Sequence, residues 1–225
     1  MTQAVILFGS PGSGKGTLAR LLKNCLGIPH ISTGDMLREH IRQGNSLGVK
    51  VATTLRAGAL VRDDVVNRLV AERLAQPDAR AGFILDGYPR TRGQAEHLSE
   101  WLDAQDIREV VIHLLVDYNI IVSRLTGRRQ CPRCGTLYNI VSNPPRVEGV
   151  CDLDGEALVI RDDDRESVIR QRLAEYESLS RPLIEYFREK GDRLYEIDAS
   201  REAPEALSSQ VCRMIRNPAA GMRAR

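Results

Sequence analysis

The chain has 225 residues, 42% of them hydrophobic and 28% charged, and its 32 basic and 30 acidic side chains leave a net charge of +2. That length supplies one sizeable hydrophobic core, and near-neutral charge gives no reason to expect a nucleic acid or an anionic membrane as partner. No apolar run approaches the length of a membrane span, and the N-terminal AVILF run is too short for a secretory signal, so the expected compartment is the cytoplasm.

In chain order, AVILF at 4–8 is continuously apolar, the pattern of a strand covered on both faces. A glycine-rich turn follows, then helical periodicity from 15 to about 26. IPHIS at 28–32 reads as a short strand. Residues 34–58 carry two helical patterns broken at QGNSLG, and 64–75 carry another. GFILD at 82–86 and VVIHLLV at 110–116 are buried-type strands, each followed by a helical pattern. RLYEID at 193–198 reads as the last strand, ahead of a helix at about 203–216 and a frayed tail, NPAAGMRAR. Strands alternating with helices predict an α/β fold with a mostly parallel sheet. Residues 129–163 break the rhythm with Gly, Pro and Cys punctuation and read as a small inserted subdomain.

GSPGSGKGT at 9–17 fits a phosphate-binding loop, with Gly16 and Thr17 where Ser or Thr usually follows the lysine directly. It follows a buried strand and opens a helix, the context that such a loop requires. Its glycines let backbone N–H groups turn toward an anion, the helix start adds partial positive charge, and Lys15 brings an ammonium to the β and γ phosphates. Asp86 ends a strand expected beside the loop strand, where a Mg²⁺ partner belongs. Basic groups punctuate the rest: Arg38 and Arg90 after strands, Arg161 and Arg172 after the insertion, and Arg124 and Arg128 four apart, which predicts one shared helix face. Phosphoryl transfer needs in-line positioning and positive charge rather than a covalent catalyst, and arginine forks supply that charge in bidentate form.

The insertion carries Cys131 and Cys134 two residues apart, then sixteen residues, then Cys151 and Asp154 two apart. That is the spacing of a four-ligand zinc ribbon with a carboxylate in place of one thiolate. Asp152 is a neighbouring alternative that the two-residue spacing disfavours. Ferrous iron and cobalt are the other metals that such a sulfur-rich tetrahedron accepts. Four protein ligands leave no open position, so the metal is expected to be structural. The remaining cysteines, Cys25 and Cys212, stand in helical patterns and read as small, part-buried apolar residues.

GSPGSGKGT, STGDMLR, DGYPRT, GRR and NPPRVEGVCD, in this order and spacing, resemble the adenylate kinases of the bacterial long-lid type over nearly the whole chain. The resemblance implies a P-loop NTPase-type parallel sheet flanked by helices, in one domain: a core of 1–31, 62–126 and 165–225, a monophosphate-binding part at 32–61 and a lid at 127–164 with the metal. It implies the reaction ATP + AMP ⇌ 2 ADP with Mg²⁺, and a monomer. Lys15, Arg90, Arg124, Arg128, Arg161 and Arg172 would be the catalytic cations. Gly9, Gly12, Ser13, Gly14, Lys15, Gly16, Thr17, Arg124, Arg128, Leu137, Tyr138 and Arg201 would bind ATP. Thr33, Arg38, Ala59, Leu60, Val61, Gly87, Arg90, Gln94, Arg161 and Arg172 would bind AMP, with Thr33 and Gln94 at the adenine. Asp86 would position Mg²⁺ through water, and Asp163 and Asp164 resemble the paired aspartates of the lid hinge. Relatives with a metal lid, some with Asp as fourth ligand, support Cys131, Cys134, Cys151 and Asp154. Tyr88 stands where Phe is frequent, Ala59 where Lys is frequent, and Arg92 precedes the adenine-reading glutamine. A kinase for UMP/CMP or GMP is the competing reading, disfavoured by the long lid and the Thr33/Gln94 pair. A nucleic-acid reader built on the ribbon is disfavoured by the near-neutral charge and the lack of a basic stripe.

Overall fold

A computed structural model describes residues 2–191 and 193–217. The strands are β1 (Gln3–Gly9), β2 (His30–Ser32), β3 (Gly82–Asp86), β4 (Arg108–Leu115), the insertion strands β5 (Arg128–Gln130) and β6 (Leu137–Asn139), and β7 (Arg193–Asp198). The helices are α1 (Lys15–Leu26), α2 (Thr33–Arg42), α3 (Ser46–Arg56), α4 (Asp63–Leu74), α5 (Arg92–Ala104), α6 (Tyr118–Thr126), α7 (Glu166–Glu189) and α8 (Pro204–Arg216). Five strands form one parallel sheet in the order β2-β3-β1-β4-β7, with the loop-bearing β1 at its centre. Of the tail NPAAGMRAR, Asn217 caps α8 through its N–H to the Arg213 carbonyl, and 218–225 lie outside the described residues.

The unbroken apolar run of β1 follows from two-sided burial. Side chains alternate along a strand, so Ala4, Ile6 and Phe8 face α4, α5 and α7, packing with Val66, Val70, Leu98, Leu102 and Leu183. Val5 and Leu7 face the other layer, against Leu18 and Leu22 of α1 and Val211 of α8. Each fully buried side chain of this kind contributes about 1.5–3 kcal/mol over its exposed state. Register then sets the site. Leu7 lies opposite Asp86 on β3, and Gly9 opposite Leu114 on β4, so the carboxyl ends of three strands open onto the same crevice.

Two expectations need correction. Arg124 and Arg128 do not share a helix face: α6 stops at Thr126, Gly127 caps it, and Arg128 is the first residue of β5. The four-residue spacing was compatible with a helix, but the chain turns into the lid there, with the Gly127 carbonyl accepting from the Ile140 N–H. Cys25 and Cys212 are not merely apolar packing. They are joined as a disulfide between α1 and α8, Cα atoms 6.6 Å apart across a sequence separation of 187. The two helices lie side by side on one face of the sheet, which sequence separation hides. Among the described residues, no helix is long and apolar enough to cross a membrane.

Candidate active site

The crevice above β1, β3 and β4 is a cleft of about 680 Å³. Every residue expected to touch a nucleotide lines it. Those expected at ATP are Gly9, Gly12, Ser13, Gly14, Lys15, Gly16, Thr17, Arg124, Arg128, Leu137, Tyr138 and Arg201. Those expected at AMP are Thr33, Arg38, Ala59, Leu60, Val61, Gly87, Arg90, Gln94, Arg161 and Arg172, and Asp86 lies among them. The loop reaches this shape because Gly12 and Gly14 take φ of +82° and +97°, a region that strains other residues.

Lys15 opens α1 and folds back over the loop, its ammonium 2.7 Å from the carbonyls of both Gly9 and Ser10. Burial lowers its pKa to about 7, and Arg90, Arg172 and Arg128 act in the same direction against the opposing charge of Asp86. Burial alone would raise the Asp86 carboxyl. The His30 hydrogen bond and the Lys15 charge outweigh that and hold it below the usual carboxylate range. His30 Nε2 lies 3.3 Å from Asp86 Oδ2. Nothing in the sequence pointed to His30, since its partner lies 56 positions away. A Cβ at Gly16 would come within 3.2 Å of Asp86 Oδ2, so this carboxylate crowds the position that carries Ser or Thr in the general loop pattern.

The arginines are held by acids that composition alone does not distinguish from surface charge. Asp164 accepts from Arg128 Nε at 2.6 Å, is also paired with Arg128 Nη2, and accepts from Arg172 Nη1 at 3.2 Å. Asp163 pairs with Arg172 at 3.0 Å and lies 3.9 Å from Arg38. Asp35 pairs with Arg38 at 2.5 Å and sits 3.8 Å from Arg161. Arg161 Nε donates to Gln130 Oε1, and Arg90 Nε donates to the Gly87 carbonyl. Burial, then repulsion from neighbouring arginines, lowers Arg90 to about 10 and Arg161 to about 9. Both stay cationic at neutral pH, and the cluster is a concentrated trap for a polyanion. Arg124 is fastened separately, Nη2 donating to the Ala199 carbonyl at 2.9 Å.

At the acceptor end, the Thr33 hydroxyl donates to the Gly87 carbonyl at 2.9 Å. Gln94, 2% exposed, is gripped at both ends of its amide by Asp63 and by the Arg90 N–H. Tyr88 is buried behind it, its hydroxyl 2.8 Å from Asn67 Oδ1 and 3.3 Å from the Gln94 carbonyl. The extra oxygen relative to Phe therefore points into the scaffold. Arg92 turns outward, paired with Glu96 and lying over the Tyr186 ring.

In the lid, Cys131, Cys134, Cys151 and Asp154 present ligand atoms all within 4.8 Å of one another. A tetrahedron with bonds of about 2.3 Å to sulfur and about 2.0 Å to oxygen puts two sulfurs about 3.8 Å apart and sulfur and oxygen about 3.5 Å apart. The Cys134 and Cys151 sulfurs lie 3.6 Å apart, and Cys131 Sγ lies 3.3 and 3.4 Å from the two Asp154 oxygens. The Cys134 N–H points at Cys131 Sγ, as in a metal knuckle. Asp152 is used elsewhere: its carboxylate accepts from the Arg146 N–H, and its own N–H donates to Tyr138. The lid's own core is small, Cys131, Tyr138 and Cys151 with Leu158 against them.

Residues 7–192 match the family model for adenylate kinase. Curated relatives agree. The adenylate kinase of Thermosipho melanesiensis is 45% identical over 214 residues, 94% of this chain and 99% of that protein. That of Moorella thermoacetica is 47% identical over 204 residues, covering 90% and 94%. That of Anaeromyxobacter dehalogenans strain 2CP-1 is 48% identical over 190 residues, covering 84% and 88%. The chain belongs to the adenylate kinase family and is a nucleoside monophosphate kinase, a phosphotransferase.

Proposed function

We propose that the chain transfers the terminal phosphoryl group of ATP to AMP, reversibly, giving two ADP. The observation that carries this reading is the convergence of Lys15, Arg38, Arg90, Arg128, Arg161 and Arg172 on one cleft that also holds Thr33 and Gln94, expected at the AMP adenine. The phosphate loop cradles the donor phosphates with its N–H groups, and Lys15 leaves its carbonyl partners for the β and γ oxygens. Leu137, Tyr138 and Arg201 enclose the donor nucleoside. Arg38 and Arg90 hold the AMP phosphate, while Arg124, Arg128, Arg161 and Arg172 surround the group in flight. No general base is required, because the attacking phosphate oxygen is already anionic. Ala59, Leu60 and Val61 with Thr33 and Gln94 receive the AMP nucleoside.

Asp86 would hold Mg²⁺ through water. The fit rests on an ionised, cleft-facing carboxylate beside the phosphate loop and on the missing side chain at Gly16. When bound, magnesium neutralises phosphate oxygens. The lid cluster would hold a structural metal, zinc by its donor set, with iron or cobalt as alternatives. A lid of so small a core gains rigidity from four metal bonds, and a rigid lid closes as a unit and excludes water from the reacting phosphates. Closure pivots near Asp163 and Asp164, which fasten Arg128 and Arg172. We read the enzyme as a cytoplasmic monomer, which gel filtration with light scattering tests. The central test is a coupled assay with AMP, UMP, CMP and GMP as acceptors and Mg²⁺ATP as donor. AMP is expected to dominate; preference for a pyrimidine monophosphate would sink the assignment.

A further inference from the structure

Gln94 has an amide with two N–H donors and two carbonyl lone pairs. Protein groups take one of each. Nε2 donates to Asp63 Oδ1 at 2.7 Å, and Oε1 accepts from the Arg90 N–H at 2.7 Å. Both partners are single-minded: a carboxylate only accepts and a backbone N–H only donates. Flipping the amide would set oxygen against carboxylate and N–H₂ against N–H. Its orientation is therefore determined, which is unusual for a glutamine.

Asp63 is itself held. Its other oxygen, Oδ2, accepts from the Thr91 hydroxyl at 2.6 Å, and that hydroxyl also accepts from the Gln94 N–H, capping α5. Asp63 opens α4, Thr91 precedes α5, and Gln94 lies in the first turn of α5, so the clamp ties two helices behind the cleft. Gln94 lines the cleft, whereas Asp63 does not.

One N–H and one carbonyl lone pair of the amide remain for a ligand, and their order matters. A 6-aminopurine offers a donor amino group beside an acceptor ring nitrogen. A 6-oxopurine offers an acceptor oxygen beside a donor N–H. A freely flipping amide serves either pattern; a locked amide serves one.

We propose that Asp63 is a positioning residue for base specificity: it locks the Gln94 amide in the sense that accepts a 6-amino and rejects a 6-oxo purine monophosphate. This rests on the reading of Gln94 as the base-contacting residue, and the test separates the two. Wild type, Asp63→Ala, Asp63→Asn and Gln94→Leu are compared for kcat/KM with AMP and with inosine monophosphate, for KM of ATP and for melting temperature. Asp63→Ala narrows the AMP-to-inosine-monophosphate ratio about tenfold, the worth of one hydrogen-bond preference, and leaves KM for ATP unchanged. Asp63→Asn keeps an acceptor for Gln94 and a donor for Thr91, so its ratio stays within about twofold of wild type. Gln94→Leu collapses the ratio. If it does not, the base-reading role of Gln94 fails. If it does while Asp63→Ala keeps the wild-type ratio, the lock is overturned and Gln94 stands. A collapse in Asp63→Asn equal to that in Asp63→Ala also overturns it, since charge and not acceptor geometry would then be responsible. Should Asp63→Ala not fold, Asp63→Ser, which retains a helix-starting oxygen too short to reach Gln94, carries the same comparison.

Discussion

Replacing Asp164 with alanine tests how the lid is fastened to the core. Its side chain is 0% exposed and serves two arginines, Arg128 at 18% and Arg172 at 14% exposure. Removing one member of a buried ion pair costs about 3–5 kcal/mol, because the partner charge is left uncompensated. Here the low end applies: Arg172 keeps Asp163 at 3.0 Å, and Arg128 keeps some water. A loss of about 3 kcal/mol lowers the melting temperature of a chain this size by about 6–12 °C. Asparagine does not rescue, since its N–H₂ would face guanidinium donors. Removing both charges does better, so Arg128→Met/Asp164→Ala melts higher than the additive expectation from Arg128→Met and Asp164→Ala. Thermal unfolding by circular dichroism at pH 7 gives the double-mutant cycle directly. A drop below about 2 °C for Asp164→Ala, or a coupling below about 0.5 kcal/mol, refutes the reasoning. Turnover falls in the same variant, because Arg128 and Arg172 lose the group that aims them.

Four further outcomes are expected. With its pKa lowered by burial to about 7, Lys15 is recharged when ATP binds, so proton uptake on binding is larger at pH 8 than at pH 6; calorimetry in buffers of different ionisation enthalpy measures this, and Lys15→Ala abolishes the difference with most of the turnover. The same depressed pKa lies below the unfolded value, so the unfolded chain holds the extra proton between about pH 7 and pH 10, and this residue's contribution to stability rises with pH across that window. Purified enzyme carries one tightly held metal per chain by elemental analysis, Asp154→Cys retains it, Cys131→Ser loses it, and chelation lowers the melting temperature; metal-free wild type from unstripped preparations contradicts the lid site. Reducing the Cys25–Cys212 bond, which closes a loop of 187 residues, removes at most about 5 kcal/mol by the chain-entropy model, read as a fall in denaturant midpoint and as two newly alkylated cysteines.

Much of the site was legible because its determinants are local. The phosphate loop needs glycines, a lysine and a strand–turn–helix context within a dozen residues, and the sequence shows all of them. The candidate ligands of the ribbon follow from spacing, and the structure places Asp154 rather than Asp152 at the sulfurs. What the sequence hides is each partner distant along the chain: His30 on Asp86, Asp35 on Arg161, Asp63 on Gln94. Each is a polar residue in ordinary surroundings until the fold delivers its partner. The helix read through Arg128 failed for a related reason. A four-residue interval fits a helix, but the turn at Gly127 is set by contacts with the lid, at Ile140 and Asn139.

The sequence by itself determined the α/β alternation, the phosphate loop, the order of the cleft-lining residues and the Cys–Cys–Cys–Asp cluster of the insertion, because hydrophobic period and short-range spacing act through local backbone geometry. Tertiary structure alone decided that the phosphate loop and the predicted nucleotide residues share one cleft, which aspartates aim which arginines, that α1 and α8 are covalently tied, and which way the Gln94 amide faces. Those outcomes depend on strand register and helix packing, which bring together groups separated by tens to hundreds of residues.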